Sequence, residues 1–144
     1  MCVDMGSIMS IKKIHHINFL VQNLQQGINQ YKSLLGIDHF IIDDLPGRGV
    51  LTARAKVGES WVVLLEPVDM DGVPGQHLQK HGEGFFLISY QVDSLEQSAA
   101  HIIEKGSAMT SAESRKGLDN WHIWDINVQD TFGAQIQLCE ERDE

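Results

Sequence analysis

The chain has little cysteine, little positive charge and no long apolar run, and each shortage removes a class of protein. Its 144 residues include only Cys2 and Cys139, too few for a disulfide framework, which fits a reducing compartment. Against 20 Asp and Glu stand 11 Lys and Arg, for a net charge of −9. Nucleic acid needs a basic surface, so no such partner is expected. Part of the acidity sits in Glu140-Glu141-Arg142-Asp143-Glu144, read as a solvated end. No stretch approaches the ~20 apolar residues that cross a bilayer, and Met1 to Ser10 lacks the positive start and apolar run of a signal peptide. The expectation is a soluble, cytoplasmic chain with no membrane partner. No HExxH and no paired-cysteine motif announces a metal.

What the chain does have is a repeat. Residues 17–26, INFLVQNLQQ, and residues 88–97, ISYQVDSLEQ, agree at Ile17/Ile88, Val21/Val92, Leu24/Leu95 and Gln26/Gln97. In both copies apolar residues alternate with period two (Ile17, Phe19, Val21; Ile88, Tyr90, Val92). They then switch to a period of about 3.6 (Leu24, Ile28, Tyr31, Leu35; Leu95, Ala99, Ile102), so a strand runs into a helix twice. Each helix opens on a capping spacing, Asn23-x-x-Gln26 and Ser94-x-x-Gln97, and stops at a glycine, Gly36 and Gly106.

Around these units further strands are expected over 37–43, 49–57 and 60–66 in the first half, and over 107–112, 120–128 and 133–139 in the second. The turn signal after the first of them is Asp43-Asp44-Leu45-Pro46-Gly47, and a polar loop is expected over 113–119. The domain reading is a loose N-terminal arm over 1–13, a first β-α-β-β-β module over 14–66, a connector over 67–84 with a short helix near Gln76 to Lys80, a second module over 85–140, and an acidic tail over 141–144. The fold class is α+β: two tandem β-α-β-β-β modules whose helices cover one face of a curled mixed sheet, leaving the other face toward a cleft. Strand phase assigns His16, Asn18, Leu20, Trp61, Val63, Leu65, Leu87, Ser89, Gln91, Gln135 and Gln137 to the cleft. Trp121 and Trp124 are left open as to which of them faces it. Apolar walls with a few amides and hydroxyls suit a small organic ligand.

Several segments together resemble the vicinal oxygen chelate superfamily of glyoxalases, bleomycin-resistance proteins and dioxygenases. They are the strand start His16-Ile17-Asn18-Phe19-Leu20-Val21, the helix end Tyr31-Lys32-Ser33-Leu34-Leu35-Gly36, Leu64-Leu65-Glu66-Pro67, and His81-Gly82-Glu83-Gly84 leading to Val92-Asp93-Ser94-Leu95. Within that superfamily the chain is most similar in flavour to methylmalonyl-CoA epimerase and glyoxalase I. The resemblance implies a homodimer and a divalent metal (Zn, Ni, Co, Fe or Mn) held by four side chains. Those positions fall on His16, Val63, Leu87 and Gln137, and the fourth implies a Glu that also moves the proton.

Only His16 and Gln137 offer a lone pair, whereas a catalytic site needs about three protein ligands. A neutral amide is no general base. His15 and Glu66 are out of phase, and His77 and His122 are the remaining candidates for a non-standard metal site. The first reading is therefore a metal-free small-molecule-binding protein with no cofactor, its ligand in the cleft between the modules. The alternative is a metal-dependent isomerase or lyase of the epimerase or glyoxalase type with a non-standard site. A structural or regulatory partner with a closed cleft is the second alternative. Replacing Val63 by Glu, Leu87 by His and Gln137 by Glu together is expected to restore metal binding.

Overall fold

The computed structural model of the chain describes residues 9–45 and 49–143. The fold is mixed α+β, and its contacts divide it into two compact units, one of His16–Phe86 and one joining residues 9–15 to 87–143. Cys2, most of the expected N-terminal arm, and Pro46 and Gly47 of the turn lie outside the described residues.

The first unit contains β1 (Ile11–Leu20, from His16 onward), α1 (Leu24–Leu35), β2 (Ile41–Leu45), β3 (Val50–Val57), β4 (Ser60–Pro67) and α2 (Val73–His81). Its strand order is β2-β3-β4-β1. α1 starts where the Asn23 side chain accepts from the Gln26 backbone N–H at 2.9 Å. It stops at Gly36, whose φ of 69° suits a residue without Cβ. Leu24 and Ile28 pack with Ala53 and Leu64, and Phe19, Val21 and Val62 close around them. Burying such an aliphatic side chain contributes about 1.5–3 kcal/mol, against roughly 1 kcal/mol for a cap. Packing therefore decides which face α1 covers, and capping decides where it begins.

The second unit contains β5 (Gly84–Val92, from Leu87 onward), α3 (Leu95–Glu104), β6 (Arg115–Lys116), β7 (Trp121–Asp125) and β8 (Ile136–Glu141), in the order β5-β8-β7-β6. Ser94 caps α3 by accepting from Gln97 N at 3.2 Å. Val92, Leu95, Ile102, Ile126 and Leu138 form its core.

The repeat seen in the sequence is a repeat of register. In the parallel β1–β4 pair Asn18 stands opposite Val63, and in the parallel β5–β8 pair Ser89 stands opposite Gln137. One hydrogen bond recurs as well. The first backbone N–H of α1, at Leu24, donates to Glu66 Oε1 at 2.7 Å, and that of α3, at Leu95, donates to Glu140 Oε1 at 2.8 Å. A carboxylate at a helix N-terminus satisfies an orphan N–H and faces the positive end of the helix dipole.

Several boundaries differ from expectation. β1 begins at Ile11, so the last residues of the expected arm are strand. β2 begins at Ile41 instead of Ile37, because Ile37 N donates back to Tyr31 O and completes the end of α1. The strand expected over 107–112 is reduced to a bridge between Met109 and Ile126. There Ser111 turns to local bonds, its hydroxyl donating to Glu113 O and its carbonyl accepting from Trp124 Nε1. The loop expected over 113–119 holds β6 and the buried Leu118. β8 starts three residues late because Thr131 and Gly133 close a turn first, with Thr131 Oγ1 donating to Ala134 O at 2.6 Å. It also runs on to Glu141, so the acidic end is structured through Arg142, which pairs with Glu96 at 2.9 Å.

Removing either helix-capping carboxylate, by Glu66→Ala or Glu140→Ala, should lower stability by about 1–2 kcal/mol. Urea denaturation with an unchanged m-value checks this. No loss in either variant would mean that the shared bond does not hold the helices.

Candidate functional site

Because Phe19, Val62 and Leu64 turn toward α1, the alternate residues of the same strands turn away from it. In the first unit that helix-free face carries His16, Asn18 and Leu20 from β1 and Trp61, Val63 and Leu65 from β4, the phase read from the sequence. β3 adds Thr52, Arg54 and Lys56 opposite Leu65, Val63 and Trp61. Arg54 was missed. It is buried, 3.5 Å from Asp43 Oδ2, and its guanidinium carbon lies 5.2 Å from the centre of the Trp61 ring. Lys56 Nζ lies 4.9 Å from the same ring. The Trp61 indole therefore already serves two cations of its own chain. Alternation within β3 was the signal that placed Arg54 here.

In the second unit Tyr90, Ile136, Leu138 and Trp124 pack toward α3. The opposite face carries Leu87, Ser89 and Gln91 from β5, Gln137 and Cys139 from β8, and Trp121, Ile123 and Asp125 from β7. Gln135 precedes β8, half-buried, its carbonyl accepting from Ile88 N. The two tryptophans are thus resolved: Trp121 is on the helix-free face, and Trp124 is on the α3 side. His122 shares the phase of Trp124 and stands opposite Glu140, away from Gln137. His77, on α2, packs edge-on against Phe86 with ring centres 4.9 Å apart. Burial, then the neighbouring His81, lowers its pKa.

The centre of this face is a polar chain. Gln137 Nε2 donates to Asp125 Oδ1 at 3.0 Å, and Asp125 Oδ2 pairs with Arg115 Nη1 at 2.8 Å. Gln137 Oε1 and Ser89 Oγ are buried without a hydrogen-bond partner among the described residues. Farther along, His15 is fully buried. Its Nε2 is 2.7 Å from Glu141 Oε1, and its ring meets Trp121 edge-on at 4.6 Å. Cys139 Sγ lies within 4.8 Å of the nearest ligand atom of His15. Burial first, then Glu141 and Glu140, push the thiol far above its ordinary pKa. A protonated thiol is a poor nucleophile and a poor metal ligand.

Residues 15–124 match the Glyoxalase/Bleomycin resistance protein/Dioxygenase superfamily. The chain belongs to that superfamily. Human mitochondrial methylmalonyl-CoA epimerase is 24% identical over 134 residues, 92% of this chain and 76% of that protein. A Streptomyces coelicolor methylmalonyl-CoA epimerase variant, solved with 2-nitronate-propionyl-CoA, superposes with a TM-score of 0.88 at 27% identity, covering 93% of this chain and all of that one. A methylmalonyl-CoA epimerase in complex with methylmalonyl-CoA and NH4+ gives 0.87 at 28%, covering 92% and 96%.

The metal that this superfamily implies would rest on positions 16, 63, 87 and 137. Val63 is 1% exposed and Leu87 6%, aliphatic and packed into their faces, with no lone pair to offer. Of the other two, His16 is a donor and Gln137 presents only a neutral amide oxygen. This set does not fit a divalent site of the usual kind.

Nor is Gln137 an isolated loss of acid. Gln137→Glu would set a second carboxylate against Asp125, where the amide now donates at 3.0 Å. Two carboxylates this close hold one proton between them, raising one pKa in the folded state. The expected cost is about 1–3 kcal/mol at pH 8. A raised folded pKa penalises folding above that pKa, so the cost shrinks as pH falls toward 5. Urea denaturation of wild type and variant at both pH values checks this, and equal stability at pH 8 would contradict it. The same conflict undercuts the triple replacement expected to restore a metal, because its third change opposes Asp125.

Proposed function

We propose that this chain binds a small organic molecule without a divalent metal, using side chains on the helix-free faces of its strands. The observation that carries this reading is the burial of Val63 and Leu87 at two of the four positions where a metal needs donors. The polar atoms left on these faces suit ligand recognition better than proton abstraction. Asn18 Oδ1, Ser89 Oγ and Gln137 Oε1 are buried acceptors without partners among the described residues, and none is a general base at neutral pH. A cytoplasmic homodimer is the setting this reading assigns.

The test is thermal denaturation of the full chain against organic ligands, beginning with acyl-CoA thioesters because the solved relatives hold them. At a hundredfold excess over Kd a ligand stabilises the native state by about 2.7 kcal/mol, a rise in Tm of roughly 5–10 °C for a chain this size. The rise should be unchanged by EDTA. Stabilisation that EDTA abolishes would overturn the metal-free reading. No stabilisation across the panel would favour a structural or regulatory role.

The epimerase relatives favour a second reading, an isomerase or lyase acting through a non-standard site. It requires a base beside the acidic carbon of a thioester, and the position that supplies one in the superfamily is here the neutral amide of Gln137. Incubation with methylmalonyl-CoA in D2O should therefore incorporate deuterium at the background rate. Exchange above background that depends on His16 would place the enzyme reading first.

A further inference from the structure

The amide of Gln137 has only one orientation that its surroundings accept. Asp125 pairs with the Arg115 guanidinium at 2.8 Å, and a carboxylate engaged in an ion pair accepts hydrogen bonds. The group it meets at 3.0 Å must therefore be the amide nitrogen, which turns Oε1 away from Asp125. That oxygen belongs to a residue only 2% exposed and has no hydrogen-bond partner among the described residues. Ser89, directly opposite in the parallel β5–β8 pair, is fully buried, and its hydroxyl is likewise unpartnered. Neighbouring strands run about 4.8 Å apart, so the two side chains leave adjacent points of one face without bonding each other. Native proteins seldom leave one buried polar atom unsatisfied. Two side by side, one of them held in place by an ion pair, mark where something else bonds.

The charges on this face decide what that is. An anion would meet the amide oxygen lone pairs and be repelled. A cation would need a spare carboxylate, but Asp125 is engaged by Arg115 and Glu141 by His15, and an unpaired charge is costly to bury. A neutral donor satisfies Gln137 Oε1 without either penalty, and the Ser89 hydroxyl can donate or accept beside it. We propose that Gln137 and Ser89 together recognise a neutral hydrogen-bond donor of the bound molecule, an amide N–H or alcohol O–H, and that Asp125 with Arg115 are positioning residues that set the amide for it. This rests on the small-molecule reading above and names the chemical group recognised.

The experiment titrates the isotopically labelled full chain with three probes of nearly equal shape: acetamide, acetate and acetamidinium. It follows the Gln137 side-chain NH2 and the Ser89 backbone N–H by NMR. Acetamide should shift both, with a Kd at least fivefold below that of either charged probe. Ser89→Ala should weaken acetamide by roughly tenfold and leave the spectrum well dispersed and Tm unlowered, since the hydroxyl has no protein partner to lose. In Asp125→Asn the neighbouring amide can donate as well as accept. Gln137 is then free to turn, and the preference for acetamide over acetate should disappear. Equal weakening of all three probes would instead make Asp125 merely structural and overturn its positioning role. Tighter binding of acetate or acetamidinium would overturn the neutral-donor assignment while leaving small-molecule binding in place. No shift with any probe, together with no stabilisation by the organic panel, would overturn both.

Discussion

In each unit a glutamate late in the last paired strand holds the first backbone N–H of the helix, Glu66 for α1 and Glu140 for α3. This bond commits one phase of β4 and one phase of β8 to the helix side. A strand has only two faces, so Val63 and Gln137, each an odd number of residues away, are committed to the other. The placement of the site side chains follows from that phase. A one-residue slip would exchange the packed face for the chemical one, and the apolar cores around Leu64 and Leu138 would be lost with it.

Much of this was legible because it is local. The caps at Asn23 and Ser94, the stop at Gly36 and the alternation of β1 and β5 each depend on residues within a few positions of one another. What was hidden depends on pairing between distant segments. Asp125 reaches Gln137 only through the antiparallel register of β7 and β8, and that register is set by the turn over 126–135, whose tightness composition does not reveal. Arg54 was readable from phase but sits in a strand with no counterpart in the recognised repeat. His15 breaks a simple alternation, since it and His16 are both buried, and its partner Glu141 lay in what had read as a solvated tail. The strand expected over 107–112 rested on its place in the second module, since the segment holds one β-branched residue, Thr110, and the hydroxyl and carbonyl of Ser111 found local partners.

Superfamily membership and the chemistry of the strand faces are separate findings in this chain. At two positions where the resemblance implies metal ligands, Val63 and Leu87 are buried aliphatic side chains. Where the resemblance implies a carboxylate that moves a proton, Gln137 is an amide held by Asp125, which in turn pairs with Arg115. The amide is a consistent part of its surroundings, because the carboxylate beside it prefers a donor there. Under the proposed reading these groups recognise a ligand, and the relatives' complexes with methylmalonyl-CoA and 2-nitronate-propionyl-CoA indicate where the search for it should begin.

The central claim is that these faces work without a divalent metal. It is tested most directly by elemental analysis of the untagged full chain, dialysed first against nickel, cobalt and zinc and then against plain buffer. The account predicts far less than one metal per chain. About one equivalent per chain, lost on replacing His16, would contradict it and return the protein to the metal chemistry of its superfamily.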